Sequence, residues 1–339
     1  MVLKNINPIA KKSLFALITA IICTMLIVFI YFWGKPGKIF GIILFTLISI
    51  FAVFEFVKSF QLPFWAKVFL SLSSVFVVLT PLNNDFINFI NVDNKILTQL
   101  PNENWPNPEY SSILIELIQE QFSFSVASVP FIGFPILIIL ILIPCLFIKD
   151  KSKILSSFFT ILIIVILISF ATKFLLYLTI LQFSLILILI SSVILTDSLA
   201  YFGGKLFGNK IFKRKLAPNI SPNKTIEGAI AGFVGSFLFL LLFFWLNYAK
   251  INYGFDQGIN FGKLSELDPL ILLIIIPIIV PIFAILGDLL FSFTKRRQEI
   301  KDFSNLIPSH GGLLDRFDSL IMVIFVFGIL IAILGAFVQ

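Results

Sequence analysis

The sequence predicts an all-α, polytopic integral membrane protein of about nine transmembrane helices with its N-terminus in the cytoplasm. Composition comes first: 59% of the 339 residues are hydrophobic, 42 are Phe, and the mean hydropathy is +1.06. A soluble domain must cover its core with polar surface, and this chain has too little of it. Apolar runs near 20 residues, the helical length that crosses a hydrocarbon core of about 30 Å, also recur along the whole length. Finally, basic residues gather in alternating connections between those runs.

Taken in order, the predicted helices are Leu14 to Trp33, Ile39 to Val57, Phe64 to Leu82, Val126 to Phe147, Ile154 to Thr172, Phe174 to Thr196, Ile226 to Tyr248, Leu270 to Leu290 and Phe317 to Val338. Lys4, Lys11 and Lys12 precede the first run, but no small-residue cleavage site follows it, so it reads as a retained helix and not a signal peptide. The pair around Lys173 is alternatively one long or broken element. Pro130, Pro135 and Pro144 predict kinks in the fourth helix. Cys23 and Cys145 both lie in apolar runs, which favours packing over a disulfide or a thiol metal site.

Orientation follows from the connections. Lys4, Lys11 and Lys12, then Lys149, Lys151 and Lys153, then Lys205, Lys210, Lys213, Arg214, Lys215 and Lys224, and finally the segment Ser292 to Ser319 all fall on one side. The positive-inside rule makes that side cytoplasmic, in the inner or plasma membrane of a bacterium. On the other side, Asn83 to Gln121 is rich in Asp and Glu, begins as a Pro- and Asn-rich loop and turns amphipathic from Ser112. Lys35 and Lys38 dissent from the pattern. The net charge of +7 fits topology and anionic lipid or phosphate ligands, with no nucleic acid as partner. Residues 1–190 are expected to form N-terminal support and lipid access, and residues 191–339 the catalytic region.

Chemistry gathers at the cytoplasmic ends of the later helices. Asp197, in TDSLAYFGGKLFG, ends the sixth apolar run, where an ionisable group is costly unless paired, bound or wet. Tyr201 follows one turn later, and Gly203 and Gly204 permit a tight turn or a close backbone approach. In KIFKRKLAPNISPNKTIEG, Pro218 and Pro222 stiffen a loop that presents Ser221, Asn223 and Lys224 just before Thr225. Thr225 is a candidate cap for the seventh helix, whose N-terminus offers unpaired N–H groups to a phosphate. Glu227 is either a favourable first-turn charge or a partner for a site lysine or metal. Asp288 ends the eighth run as a second carboxylate at the same membrane face.

The segment from Ser292 to Ser319 is the densest charge cluster in a chain that is only 13% charged. It holds Lys295, Arg296, Arg297, Lys301 and Arg316 beside Glu299, Asp302, Asp315 and Asp318, together with the chain's one histidine, His310. Gly311 and Gly312 allow a sharp loop, and Asp315 and Asp318 share one helical face. Asp197, Asp288, Asp315 and Asp318 meeting at one surface would need a cation. Oxygen ligands favour Mg²⁺, and the thiolates or multiple histidines of a zinc site are lacking here.

These residues resemble the phosphatidate cytidylyltransferase, or CDP-diglyceride synthase, family. Its C-terminal signature of a serine, Lys-Arg, Lys-Asp, His-Gly-Gly and Asp-Arg-x-Asp falls on Ser292, Lys295-Arg296, Lys301-Asp302, His310 to Gly312, and Asp315, Arg316 and Asp318. DSLAYFGG and LAPNISPNKTIEG resemble two further family blocks, and the likeness extends from about Ser192 to the C-terminus. The chain departs from the family pattern at Ser304 and Ser309, where glycines are usual.

The resemblance implies transfer of a cytidylyl group from CTP to phosphatidate, giving CDP-diacylglycerol and pyrophosphate. It also implies a Mg²⁺ cofactor, with a second cation of monovalent type as an option, and a homodimer. Asp288 and Asp315 are then the primary metal ligands, supported by Asp318 and Asp197. Lys224, Lys295, Arg296, Lys301 and Arg316 hold phosphates, and Asp302 belongs to the catalytic set. Ser221, Asn223, Thr225, His310, Gly311 and Gly312 contact the triphosphate or shape the loop. The competing classes are a transporter of an anionic lipid or metabolite, a CTP-dependent transferase or kinase acting on another lipid, and an inactive scaffold.

Overall fold

The computed structural model describes residues 25–26, 28–30, 33–79, 129–148, 150–181, 183–208, 210–212, 214–252, 274–304 and 311–338. Most of the expected first helix, the segment Asn83 to Gln121, the connection at 253–273, Cys23, Ser309 and His310 lie outside them. The elements are α1 (Gly34–Lys58), α2 (Phe64–Leu79), α3 (Val129–Cys145), α4 (Ile154–Leu181), α5 (Phe183–Phe207), β1 (Lys215–Ala217), β2 (Ser221–Thr225), α6 (Ile226–Asn252), α7 (Ile276–Arg297) and α8 (Leu314–Val338). Helix dominates because a chain this apolar must satisfy its backbone hydrogen bonds within each segment.

Among the described residues five stretches are long and apolar enough to cross a membrane: Pro36–Lys58, Lys151–Thr179, Leu185–Phe207, Ile226–Leu246 and Ile276–Arg297. Phe64–Val78 and Pro135–Cys145 are apolar but shorter. The chain is thus a helical, multi-pass membrane protein. α4 is apolar around its circumference and packs against α1, α2, α3, α5 and α8, which places it at the centre of the bundle. Its Phe174 and Tyr177 are fully buried, as is Phe56 of α1. Cys145 is buried as a small apolar side chain, in keeping with the packing expected of it. By contrast α6 exposes Ile230, Val234, Leu238, Leu242 and Trp245 along one side, an apolar face suited to lipid.

Two expected helix boundaries are corrected. Lys173 does not divide two helices: α4 runs through it to Leu181, and α5 continues past Asp197 to Phe207. The charge is accommodated inside the bundle, where the fully buried Lys173 ammonium reaches the Val77 carbonyl at 3.4 Å and lies 5.9 Å from the Tyr177 ring centre. Val77 is in the last turn of α2, where the carbonyl ends of the helix favour a cation. Lys38, which stood against the charge pattern, is likewise buried at 1% exposure.

The all-α expectation also needs one amendment, because the Pro-rich loop folds as a hairpin. β1 and β2 pair antiparallel with Lys215 opposite Thr225 and Ala217 opposite Ser221, and the Ile220 N–H closes the turn onto the Ala217 carbonyl at 3.2 Å. Pro218 pre-sets a turn, and β2 leads directly into α6.

α5 and α6 pack closely, and small residues line their contact. A β-carbon added at Gly203 would lie 2.4 Å from Ala231 Cβ, and one added at Gly228 would lie 2.5 Å from the Ala200 carbonyl. Of the two roles open to Gly203, the structure uses close approach and not a turn.

Candidate active site

Four elements deliver the site. α5 carries Asp197, β2 carries Lys224, α7 carries Asp288 and Lys295, and the first turns of α8 carry Asp315 and Asp318. The Lys224 ammonium is paired with Asp288 Oδ2, and the Ser292 hydroxyl, one turn further along α7, donates to Asp288 Oδ1 at 3.2 Å. Asp197 lies within electrostatic range of Asp288 and Lys224, and Asp318 within range of Asp288, Asp197 and Lys295. Gly287 brings α7 close to α8 at this level: a β-carbon there would lie 3.0 Å from the Asp318 carbonyl. Three carboxylates thus share one neighbourhood with two ammonium groups.

Asp315 has a different setting. Its Oδ1 accepts from Lys295 Nζ at 2.9 Å, and its Oδ2 accepts the N–H groups of Phe303 at 3.0 Å and Gly312 at 2.9 Å. The pair is largely buried, and the Lys295 ammonium also sits 5.5 Å from the Phe303 ring centre. Asp315 therefore joins the end of α7, the following strand of coil and the start of α8. Although Asp315 and Asp318 lie one turn apart, Asp315 is ion-paired with Lys295, whereas Asp318 lies within electrostatic range of Asp288 and Asp197 as well as Lys295.

The hairpin is tied to this assembly. Arg296 Nε donates to the Ile220 carbonyl at 3.1 Å and its Nη1 to the Ile300 carbonyl at 3.4 Å. Thr225 caps α6, its hydroxyl accepting the Gly228 N–H at 3.1 Å, as its position predicts. Glu227 stands in the first turn of α6, as the first of its two readings has it, and it accepts the backbone N–H groups of Ile211 at 3.2 Å and Phe212 at 2.8 Å, holding the approach to β1. Ser221 is half-buried on β2, while Asn223, Lys301, Asp302 and Arg316 are exposed. Gly311 has φ 82°, a conformation glycine adopts freely.

α7 ends in a tight reverse turn that sequence reasoning passed over. The Ile300 N–H returns to the Lys295 carbonyl at 3.0 Å and the Glu299 N–H to the Arg296 carbonyl at 3.0 Å, with Glu299 left-handed at φ 58°. In the last turn of α7, just before it, Lys295 pairs with Asp315 while Arg296 reaches the hairpin.

Glu55 of α1 was also missed. It is buried and accepts hydrogen bonds from the Ser304 hydroxyl, from the Leu313 N–H at 3.1 Å and from the Leu314 N–H at 2.7 Å. The available signal was a lone carboxylate in the apolar run Gly34–Lys58.

Among the described residues no three His, Cys, Asp or Glu side chains converge into a ready metal cage. The donor set nevertheless suits a hard cation: Asp197, Asp288 and Asp318 are all oxygen donors, close enough to repel one another, with lysine ammonium groups beside them.

The sequence model described as the cytidylyltransferase family matches residues 15–334. A phosphatidate cytidylyltransferase of Bacillus subtilis is 39% identical over 144 residues, covering 42% of this chain and 46% of that protein. One from Staphylococcus haemolyticus is 41% identical over 139 residues, covering 40% of this chain and 45% of the relative. One from Haemophilus influenzae is 40% identical over 124 residues, 37% of each. The aligned segment spans less than half the length of these relatives. With the family model covering nearly the whole length and the polar residues of its C-terminal half gathered at one site, the chain belongs to the cytidylyltransferase family.

Proposed function

We propose that this chain is a phosphatidate cytidylyltransferase that makes CDP-diacylglycerol from CTP and phosphatidate at the cytoplasmic face of a bacterial inner membrane. The observation that carries the proposal is the Lys224–Asp288 pair, with Asp197 and Asp318 from two further elements within electrostatic range of it, in a membrane-embedded helical bundle. Family membership and the names of the relatives support it. The finer topology belongs to the same proposal: about nine crossings with the N-terminus inside, so that the four basic connections named above, though not Lys35 and Lys38, share the side of the nucleotide.

In the reaction a phosphatidate phosphate oxygen attacks the α-phosphorus of CTP. The new P–O bond forms as the bond to the bridging α–β oxygen breaks, and its electron pair leaves with pyrophosphate. Both reactants are anions, so the protein's main tasks are to hold them in line and to offset repulsion. Lys224, Lys295, Arg296, Lys301 and Arg316 supply positive charge for the phosphates. Thr225 fixes the first turn of α6, whose N–H groups favour an anion, with Ser221 and Asn223 beside it on β2, and His310, Gly311 and Gly312 are the further candidates for triphosphate contacts. A phosphate monoester is already largely deprotonated near neutral pH, so no protein base is required.

Bound Mg²⁺ would neutralise triphosphate charge and stabilise the charge that develops on the leaving oxygen. Asp288, Asp318 and Asp197 would hold it, with Asp315 contributing through Oδ1, the oxygen that Lys295 now occupies. Asp302 lies at the exposed rim of the same segment.

Mass spectrometry of the lipid formed by purified protein from phosphatidate, CTP and Mg²⁺ tests the proposal. A CMP-bearing lipid with stoichiometric pyrophosphate is expected. A lipid gaining only a phosphoryl group would indicate a kinase, and substrate counterflow in liposomes without CTP would indicate a transporter; either result would sink the proposed reaction.

A further inference from the structure

Glu55 makes contacts that its place in the chain does not foretell. It sits on α1, in the N-terminal half, yet its carboxylate holds two points in the C-terminal half: Ser304 before the 305–310 segment, and Leu313 and Leu314 after it. The Leu313 and Leu314 N–H groups open α8 and have no acceptor within that helix. A carboxylate facing them is favoured by the hydrogen bonds and by the positive end of the helix. Neighbouring contacts reinforce the junction, since the rings of Phe56 and Phe303 lie 5.8 Å apart and the Phe303 N–H is held by Asp315. Space is tight as well: a β-carbon at Gly312 would lie 2.2 Å from Glu55 Oε1.

Resting on the proposed transfer reaction, we infer that Glu55 is a positioning residue for it, acting with Ser304 as a clamp on the entry to α8. Asp315 follows Leu314 directly and Asp318 lies one turn on, so the clamp determines where both stand relative to Asp288 on α7. Ser304 belongs to the device because its hydroxyl supplies the third donor; a glycine at that position would leave Glu55 with the two backbone N–H groups alone.

The test compares wild type, Glu55→Gln, Ser304→Gly and the double variant as full-length protein in nanodiscs. Steady-state synthesis of CDP-lipid is measured together with hydrogen exchange of the 311–316 amides and of α5 and α6. Gln keeps the shape of Glu but retains a single acceptor oxygen and turns an amide donor toward a backbone N–H. Expected for Glu55→Gln is a fall in kcat of about tenfold with KM for CTP within about twofold, and faster exchange confined to 311–316. Ser304→Gly should lose less, and the double variant no more than Glu55→Gln alone, because both act on one contact. Unchanged kcat in Glu55→Gln overturns the inference, as does a loss accompanied by faster exchange throughout α5 and α6, which marks a merely structural role. An inactive wild type would instead refute the parent reaction and the inference resting on it, whereas an active wild type beside an equally active Glu55→Gln refutes the inference alone.

Discussion

Asp288 is the residue on which most of the site's charges depend, since it takes Lys224 and Ser292 directly and stands near Asp197 and Asp318. Asp288→Asn should preserve shape while removing the charge that holds Lys224 and the proposed cation. A loss of about 10²–10³-fold in kcat/KM is expected, in protein whose Tm stays near that of wild type. Retention of full Mg²⁺-dependent synthesis would reject Asp288 as a ligand. Thr225 poses a simpler question, because its hydroxyl caps α6 through the Gly228 N–H. Thr225→Ala should destabilise the protein by about 1 kcal/mol, read as a lowered denaturation midpoint.

At the scale of elements, the α5–α6 contact and the end of α7 respond in opposite directions. Gly228→Ala places a methyl group against the Ala200 carbonyl, which is backbone and cannot rotate away, so a loss of about 1–3 kcal/mol is expected. Glu299, in contrast, holds a left-handed conformation at the turn after α7 that costs a side-chain-bearing residue about 1–2 kcal/mol. Glu299→Gly should therefore raise the thermal midpoint, and an unchanged or lowered midpoint would show that the Glu side chain compensates for its backbone. Sequence patterns at this scale were read unevenly. The Thr225 cap was legible because a capping residue announces itself next to a helical run. The hairpin was not, because strands as short as Lys215–Ala217 have no periodicity to read. Of the two readings of Lys173, helix boundary or interior of a longer element, the second holds, and the sequence could not decide between them because an acceptor of its ammonium, the Val77 carbonyl, is remote in sequence.

For the whole molecule, membrane embedding was plain from hydropathy, which depends on each residue's own chemistry. The C-terminal signature was equally plain, because its residues are close in sequence. What could not be read was which carboxylate serves which neighbour. Asp315 and Asp318 look equivalent in the sequence, yet one is occupied by Lys295, Phe303 and Gly312 while the other faces Asp288 and Asp197. Nor did any local pattern connect Glu55 with Leu314. The proposed topology has its own check: a reporter fused after Gln339 should read as extracytoplasmic, and a cytoplasmic signal would overturn the count of nine crossings.

The contact between Glu55 and α8 also bears on how the protein is made. α1 leaves the ribosome well before its carboxylate's partners, which lie 249 to 259 residues further along the chain. Until Ser304, Leu313 and Leu314 arrive, that carboxylate lacks the hydrogen-bond donors it has in the finished bundle. A chain released before α8 would retain its early helices but expose an unsatisfied acid between them. Such a fragment should be recognised as incomplete and turned over faster than the full chain, and substituting Glu55 with Leu should lengthen its lifetime in a pulse-chase measurement.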